Sequence, residues 1–539
     1  MKKSFLFLAI GIITVFSIVA FHGLEEQGLL FHDSGMNLLE AKFISESVQI
    51  LPRLRELKDK KTDVWDHLKS HTQGVPLHTG KAGYSFVLSL ASLIQGYPDS
   101  LAAKVNATAG ILGLILVFFI ARNISNPLAG LYSVAALASS TFYLLYCRAG
   151  LSDQVFSVFF LLGIFLYTRF WACSTAARFW IGVAFGYGFT CAQWRGIYPA
   201  VLLSTLEIII SRLKHWKLKL LVERIGLVAA GFLTPIILFQ IPYVVVRMTA
   251  GPLPFRDYWS QLGERSLERL NLIWFRDVGE MTRQYWLVNG PVFPILVGLA
   301  WLFLLGRFFR KRRPEDLVLL FFSWVPFLYF SCMKYGGIAL PRTTAILIPV
   351  AALCVGQLLS SLHRKLLARW RLFSKYSFLV AFLAVFILFL QALPRHFHTG
   401  MTRSGYPAAA QYISQTGKEK FLVLETEPVW RFYLGRVNYF QPQGFQELIE
   451  KAEPLGIEYL VVDHCTLYSK YGMTFTKSLI GKLAPVAVFQ NPVGHSFAYL
   501  LDLYGLEKSL RMARDPDTEK IYLFRIRDIA SALDRGLIG

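Results

Sequence analysis

The residues with the clearest chemical potential are acidic and lie beside apolar stretches. Asp33 stands in FHDSGMNLLEAKF shortly after the first apolar run, and Asp153 opens a later run in CRAGLSDQVF. Glu40 follows Asp33 by seven positions, so a helix that begins near Ser34 would place both carboxylates on one face. Carboxylates can act as general bases, and Asp33 with Asp153 could bind a divalent cation such as Mg²⁺ or Mn²⁺. The alternative is structural, since aspartate caps helices and Glu40 can be solvated.

A second group of candidate residues is basic and lies in short loops on the same predicted side of the membrane as the two aspartates. Its members are Lys81, Arg148, Arg195, Lys334 and Arg342. Short outer loops normally avoid lysine and arginine. Any one of these side chains could extend toward lipid headgroups. Five around one cavity favour a site for an anion such as a lipid phosphate, to which arginine offers two parallel hydrogen bonds and lysine a point charge.

The elements that must position these residues are apolar helices. Only 17% of the 539 residues are charged, and uncharged apolar runs recur along the chain. The clearest runs cover residues 4–21, 105–121, 127–146, 179–194, 225–246, 289–306 and 377–394. Each is close to the length that crosses a hydrocarbon layer of about 30 Å at about 1.5 Å per residue. A single run could be a buried core helix, but this number of runs indicates a membrane protein.

The distribution of basic residues orients these helices. The net charge of +21 does not indicate nucleic-acid binding, because the main basic clusters lie in short loops between apolar runs. These clusters are Lys2–Lys3, Arg212 to Arg224, Arg307 to Arg313 and Arg364 to Lys375. Since cytoplasmic loops are enriched in lysine and arginine, the pattern predicts about eleven spans in a cell membrane, with the N-terminus in the cytoplasm. If the short stretch 82–97 crossed the membrane, Arg122 and the later basic clusters would lie outside the cytoplasm. We therefore expect this stretch to lie in or dip into the outer interface.

The last part of the chain has a different character. Short β-branched runs begin at residues 421, 459, 486 and 521, separated by helical or turn-rich pieces. The sequence therefore predicts a polytopic α-helical membrane domain over residues 1–394, with an outer loop and juxtamembrane helices in 22–104. A small extracytoplasmic α/β domain is expected to follow over 395–539.

Several short patterns along the chain together resemble the glycosyltransferase C superfamily. They are Asp33-Ser34-Gly35 with Glu40-Ala41, then HTGKAGY from His78, then Ala103-Lys104 with Gly110, and then Arg148 with Asp153. Their order and the hydropathy of residues 1–360 resemble in particular the branch of protein O-mannosyltransferases and aminoarabinose (lipid A) transferases. The donors of that branch are polyprenyl-phosphate sugars, and an exported α/β tail is common in its bacterial members.

The resemblance implies a role for individual residues. Asp33 matches the acidic residue of the first outer loop, expected to act as general base or to orient the acceptor, and Asp153 matches the second outer-loop acid. Lys81 matches a lysine that contacts the donor phosphate. Arg195 stands where family members usually carry a lysine, and Arg342 matches the arginine of a Pro-Arg-Tyr-like motif.

The sequence also departs from the family pattern. Ser34 follows Asp33 where the family has a glutamate, a role that Glu40 could take. The double proline that follows the lysine in the family is Ala82-Gly83 here, and Thr343 replaces the tyrosine after the arginine. These departures concern the substrate more than the class of reaction.

The function implied by the resemblance is transfer of a sugar, with inversion, from a polyprenyl-phosphate donor to a protein, lipid or glycan outside the cytoplasm. Membrane lipids would surround the enzyme, and a divalent cation could assist. Two other classes stay open, a lipid-sugar transporter or flippase and a non-catalytic envelope-glycan assembly protein of the same fold. Transporters commonly contain paired half-repeats, and no such repeat is apparent in the sequence.

Overall fold

A computed structural model gives the architecture of the chain. It describes residues 2–50, 74–75, 80–170, 174–213, 218–250, 257–260, 276–331, 341–369, 376–469 and 472–538. Lys334 and the first residues of the HTGKAGY pattern lie outside these ranges.

The first 401 residues contribute helices. Within the described residues, the first eight are α1 (Lys2–Phe21), α2 (His32–Ile50), α3 (Ala82–Gln95), α4 (Leu101–Ile124), α5 (Pro127–Ala138), α6 (Thr141–Arg148), α7 (Asp153–Phe170) and α8 (Thr175–Ala192). The next eight are α9 (Tyr198–Leu213), α10 (Leu218–Ala250), α11 (Arg276–Asn289), α12 (Val292–Lys311), α13 (Pro314–Ser331), α14 (Arg342–Ala345), α15 (Ile348–Arg369) and α16 (Ser377–Met401).

Within the described ranges, six helices are long and apolar enough to cross a membrane. The number rises to seven if the bent pair α5–α6 is one span. The chain is therefore a multi-pass membrane protein. The predicted count of about eleven spans is not confirmed, although a helix or helix pair covers most of each of the seven apolar runs.

The expected span at 127–146 is broken in the structure. Helices α5 and α6 meet at an angle of 67°. The break falls at consecutive hydroxyl residues, where the Ser140 side chain accepts a hydrogen bond from the backbone of Tyr143 and so caps α6. Asn289 secures the break from α11, because its side-chain oxygen accepts from Ser140 Oγ and from the Phe142 amide, both at 3.1 Å. The bend turns α6 toward the start of α7.

Helix α3 is too short to cross a bilayer. Its 14 residues measure about 21 Å at about 1.5 Å per residue, against a hydrocarbon layer of about 30 Å. It packs against α8, where a Cβ atom at Gly83 would lie 2.1 Å from the hydroxyl of Thr190. Glycine is therefore required for this close approach of the two helices.

Residues 402–538, called here the C-terminal region, contain a five-stranded sheet of order β2-β1-β3-β5-β4. The strands are β1 (Phe421–Val423), β2 (Asn438–Tyr439), β3 (Tyr459–Val462), β4 (Ala487–Gln490) and β5 (Lys520–Arg525). The pairings among β2, β1 and β3 are parallel, and β5 pairs antiparallel with β3 and β4. The helices are α17 (Tyr406–Thr416), α18 (Glu427–Leu434), α19 (Phe445–Ala452), α20 (His464–Leu467), α21 (Phe497–Met512) and α22 (Ile526–Asp534).

The C-terminal region is packed onto the helical bundle. Alternate residues of β1 face opposite sides, so that Val423 joins the apolar core of the bundle and Leu422 joins a separate core on the far face of the sheet. On α18, Tyr433 Oη donates to Asp99 at 2.8 Å and accepts from the Leu29 amide at 3.0 Å. The two parts of the chain therefore share one continuous interior.

Candidate active site

Asp33 lies in the first turn of α2, at the N-terminal end where the helix dipole favours a negative charge. Its Oδ2 atom accepts a hydrogen bond from Arg342 Nη1 at 2.9 Å and lies 3.6 Å from Lys81 Nζ. The Asp33 side chain keeps 35% exposure, so it lies in a crevice that is surrounded by protein but open to solvent. Burial raises the pKa of this carboxyl, but the charges of Lys81, Arg342 and His32 outweigh that effect and hold the pKa well below its ordinary value.

Asp153 begins α7 and is buried. Its Oδ1 atom forms an ion pair of 2.5 Å with Arg195 Nη1, and the two side chains keep only 2% and 9% exposure. Arg195 lies in the short 3-10 helix Gln193–Ile197, which links α8 to α9. The same Nη1 atom donates to the backbone carbonyl of Arg342 at 3.1 Å. Arg342 therefore links the two aspartates. Its side chain contacts Asp33, and its carbonyl accepts from Arg195, which is paired with Asp153.

Close packing at one turn brings the starts of α2 and α7 together. Gly150 has a φ of +66°, and a Cβ atom added there would lie 3.1 Å from Ser34 Oγ. Ser34 donates in turn to the carbonyl of Ala149 at 2.7 Å. From α4, Asn106 donates to the Leu151 carbonyl at 2.6 Å. Ser34 therefore makes a contact that secures the turn before Asp153.

The C-terminal region supplies a third carboxylate, Asp502 of α21. Its Oδ1 atom accepts from the Arg342 amide and from Tyr146 Oη, both at 3.0 Å, and its Oδ2 atom lies 3.7 Å from Arg342 Nε. Burial raises the pKa of Asp502, the charge of Arg342 lowers it, and the nearby Asp153 raises it again, so that the pKa is above its ordinary value.

Sequence reasoning missed Asp502 and Tyr146. One signal was available for Asp502, because it is the only charged residue of the otherwise apolar segment FAYLLDLYGL that begins at Phe497. An isolated carboxylate in such a segment needs a buried partner, which makes it a site candidate. Tyr146 carried no comparable signal, since aromatic residues are frequent throughout the apolar runs.

Glu40 is buried beside the site. It lies on α2 together with Asp33, as the spacing predicted. Its Oε2 atom accepts a hydrogen bond from Ser85 Oγ at 2.9 Å, and Ser85 is one turn along α3 from Lys81. Glu40 therefore joins α2 to α3 behind Lys81.

Arg148 is fully buried and occupied with backbone carbonyls. Its guanidinium donates to Ala20 at 3.0 Å, to His22 at 2.8 Å and to Gly400 at 2.9 Å. It thereby binds the C-terminal ends of α1 and α16, which have unpaired carbonyls. The structure does not bring Arg148 together with Lys81, Arg195 and Arg342, and Lys334 lies outside the described residues.

The two aspartates considered as metal ligands are each paired with an arginine. Over the part of the chain that the structure describes, no group of three or more His, Cys, Asp and Glu side chains could hold a metal ion. Around Asp33 and Asp153 the described neighbours are thus cations rather than the oxygen ligands that Mg²⁺ or Mn²⁺ prefers.

An apolar groove lies between α7 and α8. Its volume is about 570 Å³, and its wall includes Phe159, Leu166, Trp180 and Tyr187. At one end, Tyr187 Oη donates to the carbonyl of Gly83 at 3.1 Å, two residues after Lys81. One wall residue of this apolar groove is thus hydrogen-bonded to the backbone next to the cationic site.

Comparison with known proteins gives structural neighbours only. No protein-family model matches the sequence, and the search of curated proteins gives no match. ArnT from Cupriavidus metallidurans bound to undecaprenyl phosphate aligns at 13% identity over 95% of this chain and 97% of its own, with a TM-score of 0.57. Archaeal oligosaccharyltransferase AglB from Archaeoglobus fulgidus, in complex with an inhibitory peptide and a dolichol-phosphate, aligns at 12% identity over 87% and 71%, with a TM-score of 0.56.

The Archaeoglobus fulgidus oligosaccharyltransferase in complex with Zn and sulfate aligns at 13% identity over 87% of this chain and 69% of its own, with a TM-score of 0.53. At such low identity these likenesses concern the fold. The chain shares the fold of ArnT and of the archaeal oligosaccharyltransferase, which agrees with the resemblance to the glycosyltransferase C superfamily that the sequence patterns indicated.

Proposed function

We propose that this protein is an integral membrane glycosyltransferase that moves a sugar from a polyprenyl-phosphate donor to an acceptor outside the cytoplasm. The observation that carries the proposal is the pair of cations, Lys81 and Arg342, that contact the accessible carboxylate Asp33. Two cations beside one solvent-accessible base suit a reaction in which a phosphate leaves and a hydroxyl attacks.

In the proposed reaction, Asp33 accepts the proton of the acceptor hydroxyl while the hydroxyl oxygen forms a bond to the anomeric carbon. The bond between that carbon and the phosphate oxygen breaks on the opposite face, which inverts the anomeric centre. The electron pair leaves with the lipid phosphate, and Lys81 and Arg342 stabilise its charge. Base catalysis of this kind typically contributes about 10²- to 10⁴-fold.

Binding of the donor would also change the basicity of Asp33, because the donor phosphate would share the cations that pair with this carboxylate. Without donor, Lys81 and Arg342 hold the carboxylate ionised but make it a weak base. A phosphate that shares these two cations would reduce their attraction for Asp33, because an opposite charge nearby is what lowers its pKa. Donor binding would thereby strengthen the base in the complex that reacts.

The groove between α7 and α8 suits the lipid part of the donor. Its wall is almost entirely apolar, and it ends near Gly83, beside Lys81. The structural neighbours were solved with lipids of the same chemistry, undecaprenyl phosphate for ArnT and dolichol-phosphate for AglB. A polyprenyl chain in this groove would bring its phosphate toward the cations.

The distribution of basic loops supports an orientation for the site. With the clusters at 2–3, 212–224, 307–313 and 364–375 in the cytoplasm, the starts of α2 and α7 face the outside. The C-terminal region would then be an extracytoplasmic α/β domain that covers the site and can contact the acceptor. No nucleotide is needed there, because the sugar arrives already activated on its lipid.

The direct test is sugar transfer by the variant D33N in membranes. We expect a loss of about 10²-fold or more, since asparagine keeps the shape but cannot take the proton. The variant E25Q is a matched control, because Glu25 lies in the same loop, is 68% exposed and pairs with Lys104 outside the site. Wild-type turnover by D33N would show that Asp33 is not the general base.

A further inference from the structure

A buried carboxylate from the C-terminal region reaches into the site of the helical bundle. Asp502 has no exposed surface, and its two oxygens contact the Arg342 amide, Arg342 Nε and Tyr146 Oη. A carboxylate is costly to bury unless cations and hydrogen-bond donors compensate for its lost hydration. The partners of Asp502 come from α14 and α6, which are distant in sequence from α21.

The contacts of Asp502 constrain the conformation of Arg342. One oxygen holds its backbone at 3.0 Å, and the other lies 3.7 Å from Nε, part-way along its side chain. The end of the guanidinium, Nη1, is then left to donate to Asp33 at 2.9 Å. Arginine has several rotatable bonds, and fixing it at two points leaves few of its conformations accessible.

The C-terminal region, to which Asp502 belongs, is held on the bundle by hydrogen bonds. The Ser404 amide donates to the Gln27 carbonyl at 2.9 Å, and Tyr433 bonds to both Asp99 and Leu29. Within α21 itself, Tyr499 is fully buried and its ring packs against Phe31, two residues before Asp33. These contacts place Asp502 beside the bundle residues that it contacts.

We propose that Asp502 is a positioning residue, which fixes Arg342 in the orientation that contacts Asp33 and makes the C-terminal region an integral part of the active site. The proposal rests on the proposed function for its kinetic consequences. Its structural consequence, the placement of Arg342, does not depend on which reaction the site performs.

The kinetic test is a double-mutant cycle with D502N and R342K in the full-length protein. In the parent protein, D502N should lower kcat for sugar transfer by about 10- to 100-fold, because a displacement of about 1 Å in a catalytic group has an effect of that size. In the R342K background, which lacks Nε and the planar guanidinium, the loss should shrink to less than about threefold, since coupled residues are not additive. Equal losses in both backgrounds would overturn the proposal.

Two further variants separate positioning from general destabilisation. D463N removes another buried carboxylate of the C-terminal region, bonded to Tyr406 and Thr426 rather than to Arg342. It should lower the unfolding temperature without coupling to R342K. Y146F removes one hydrogen bond to Asp502 and should fold normally, with a smaller loss of kcat that also disappears in the R342K background. Coupling of D463N as strong as that of D502N would contradict the assignment.

A structure of the D502N protein tests the placement without any assay. The expected result is an Arg342 guanidinium that no longer contacts Asp33, whereas an unchanged contact would refute the positioning role. Absence of transfer by the wild-type protein would count against the proposed function alone, because the position of Arg342 in D502N would still decide this inference.

Discussion

The two halves of the site use the same pair of residue types in different surroundings. At the start of α2, Asp33 is one-third exposed and shares Arg342 with Asp502, with Lys81 nearby. At the start of α7, Asp153 and Arg195 are sealed from solvent and bonded to each other at 2.5 Å. A proton acceptor must be accessible to its substrate, whereas a buried pair holds its neighbours in place. We therefore propose that Asp33 takes part in the chemistry and that the pair of Asp153 and Arg195 supports Arg342.

The largest expected effect is that the two aspartate variants differ in what they lose: D33N loses activity, whereas D153N loses stability. D33N should lose about 10²-fold or more of transfer activity with little change in unfolding temperature, because its side chain is accessible. D153N should destabilise the protein by about 3–5 kcal/mol, since it leaves the Arg195 charge buried without its carboxylate counter-ion. Thermal unfolding in detergent, measured beside transfer activity, checks both. A D153N protein as stable as the wild type would contradict the structural role of the pair of Asp153 and Arg195.

The next effect concerns the pH dependence of the exposed half. Lys81 lowers the pKa of Asp33, so K81M should raise that pKa. A base is active only when deprotonated, and the acid limb of kcat/KM against pH should therefore move to higher pH, by about one unit or more for a cation at this distance. K104M is a suitable control, because Lys104 pairs with Glu25 outside the site. A shift toward lower pH in K81M would contradict the proposed pairing.

The smallest effect is expected at Glu40, which lies behind the exposed half. E40Q keeps the size of the side chain and an acceptor for Ser85 Oγ. Its charge-assisted hydrogen bond becomes a neutral one, a difference of about 1 kcal/mol. We expect a modest drop in unfolding temperature and less than about a threefold change in kcat/KM. A loss of activity as large as that of D33N would instead indicate a catalytic role for Glu40.

Much of the fold was accessible to sequence reasoning, because membrane helices and buried strands leave strong local patterns. The runs beginning at residues 421, 459, 486 and 521 each contain or adjoin a strand. Strand β2 was missed, since Asn438 and Tyr439 are too few to form a pattern. The break between α5 and α6 was also missed, because 127–146 is apolar throughout and the bend depends on Asn289 from a distant helix.

Only part of the site was predicted, because some of its contacts depend on how distant parts of the chain pack together. Topology and resemblance together pointed to Asp33, Lys81, Arg195 and Arg342, which the structure brings together. Arg148 lies apart from them, because its partners are backbone carbonyls, which any residue type provides. Asp502 required knowledge of how the C-terminal region packs on the bundle, a contact between positions 160 residues apart in sequence.

The central claim is that the protein itself transfers sugar from a lipid phosphate, and turnover by the purified protein in detergent tests it most directly. Undecaprenyl-phosphate mannose and undecaprenyl-phosphate aminoarabinose would serve as donors, with membranes from a strain lacking the protein as the acceptor source. Mass spectrometry should detect free undecaprenyl phosphate and a sugar-modified acceptor with the wild-type protein, and neither with D33N. Donor that stays intact in detergent, but moves across sealed vesicles that contain the protein, would contradict the claim and identify a transporter.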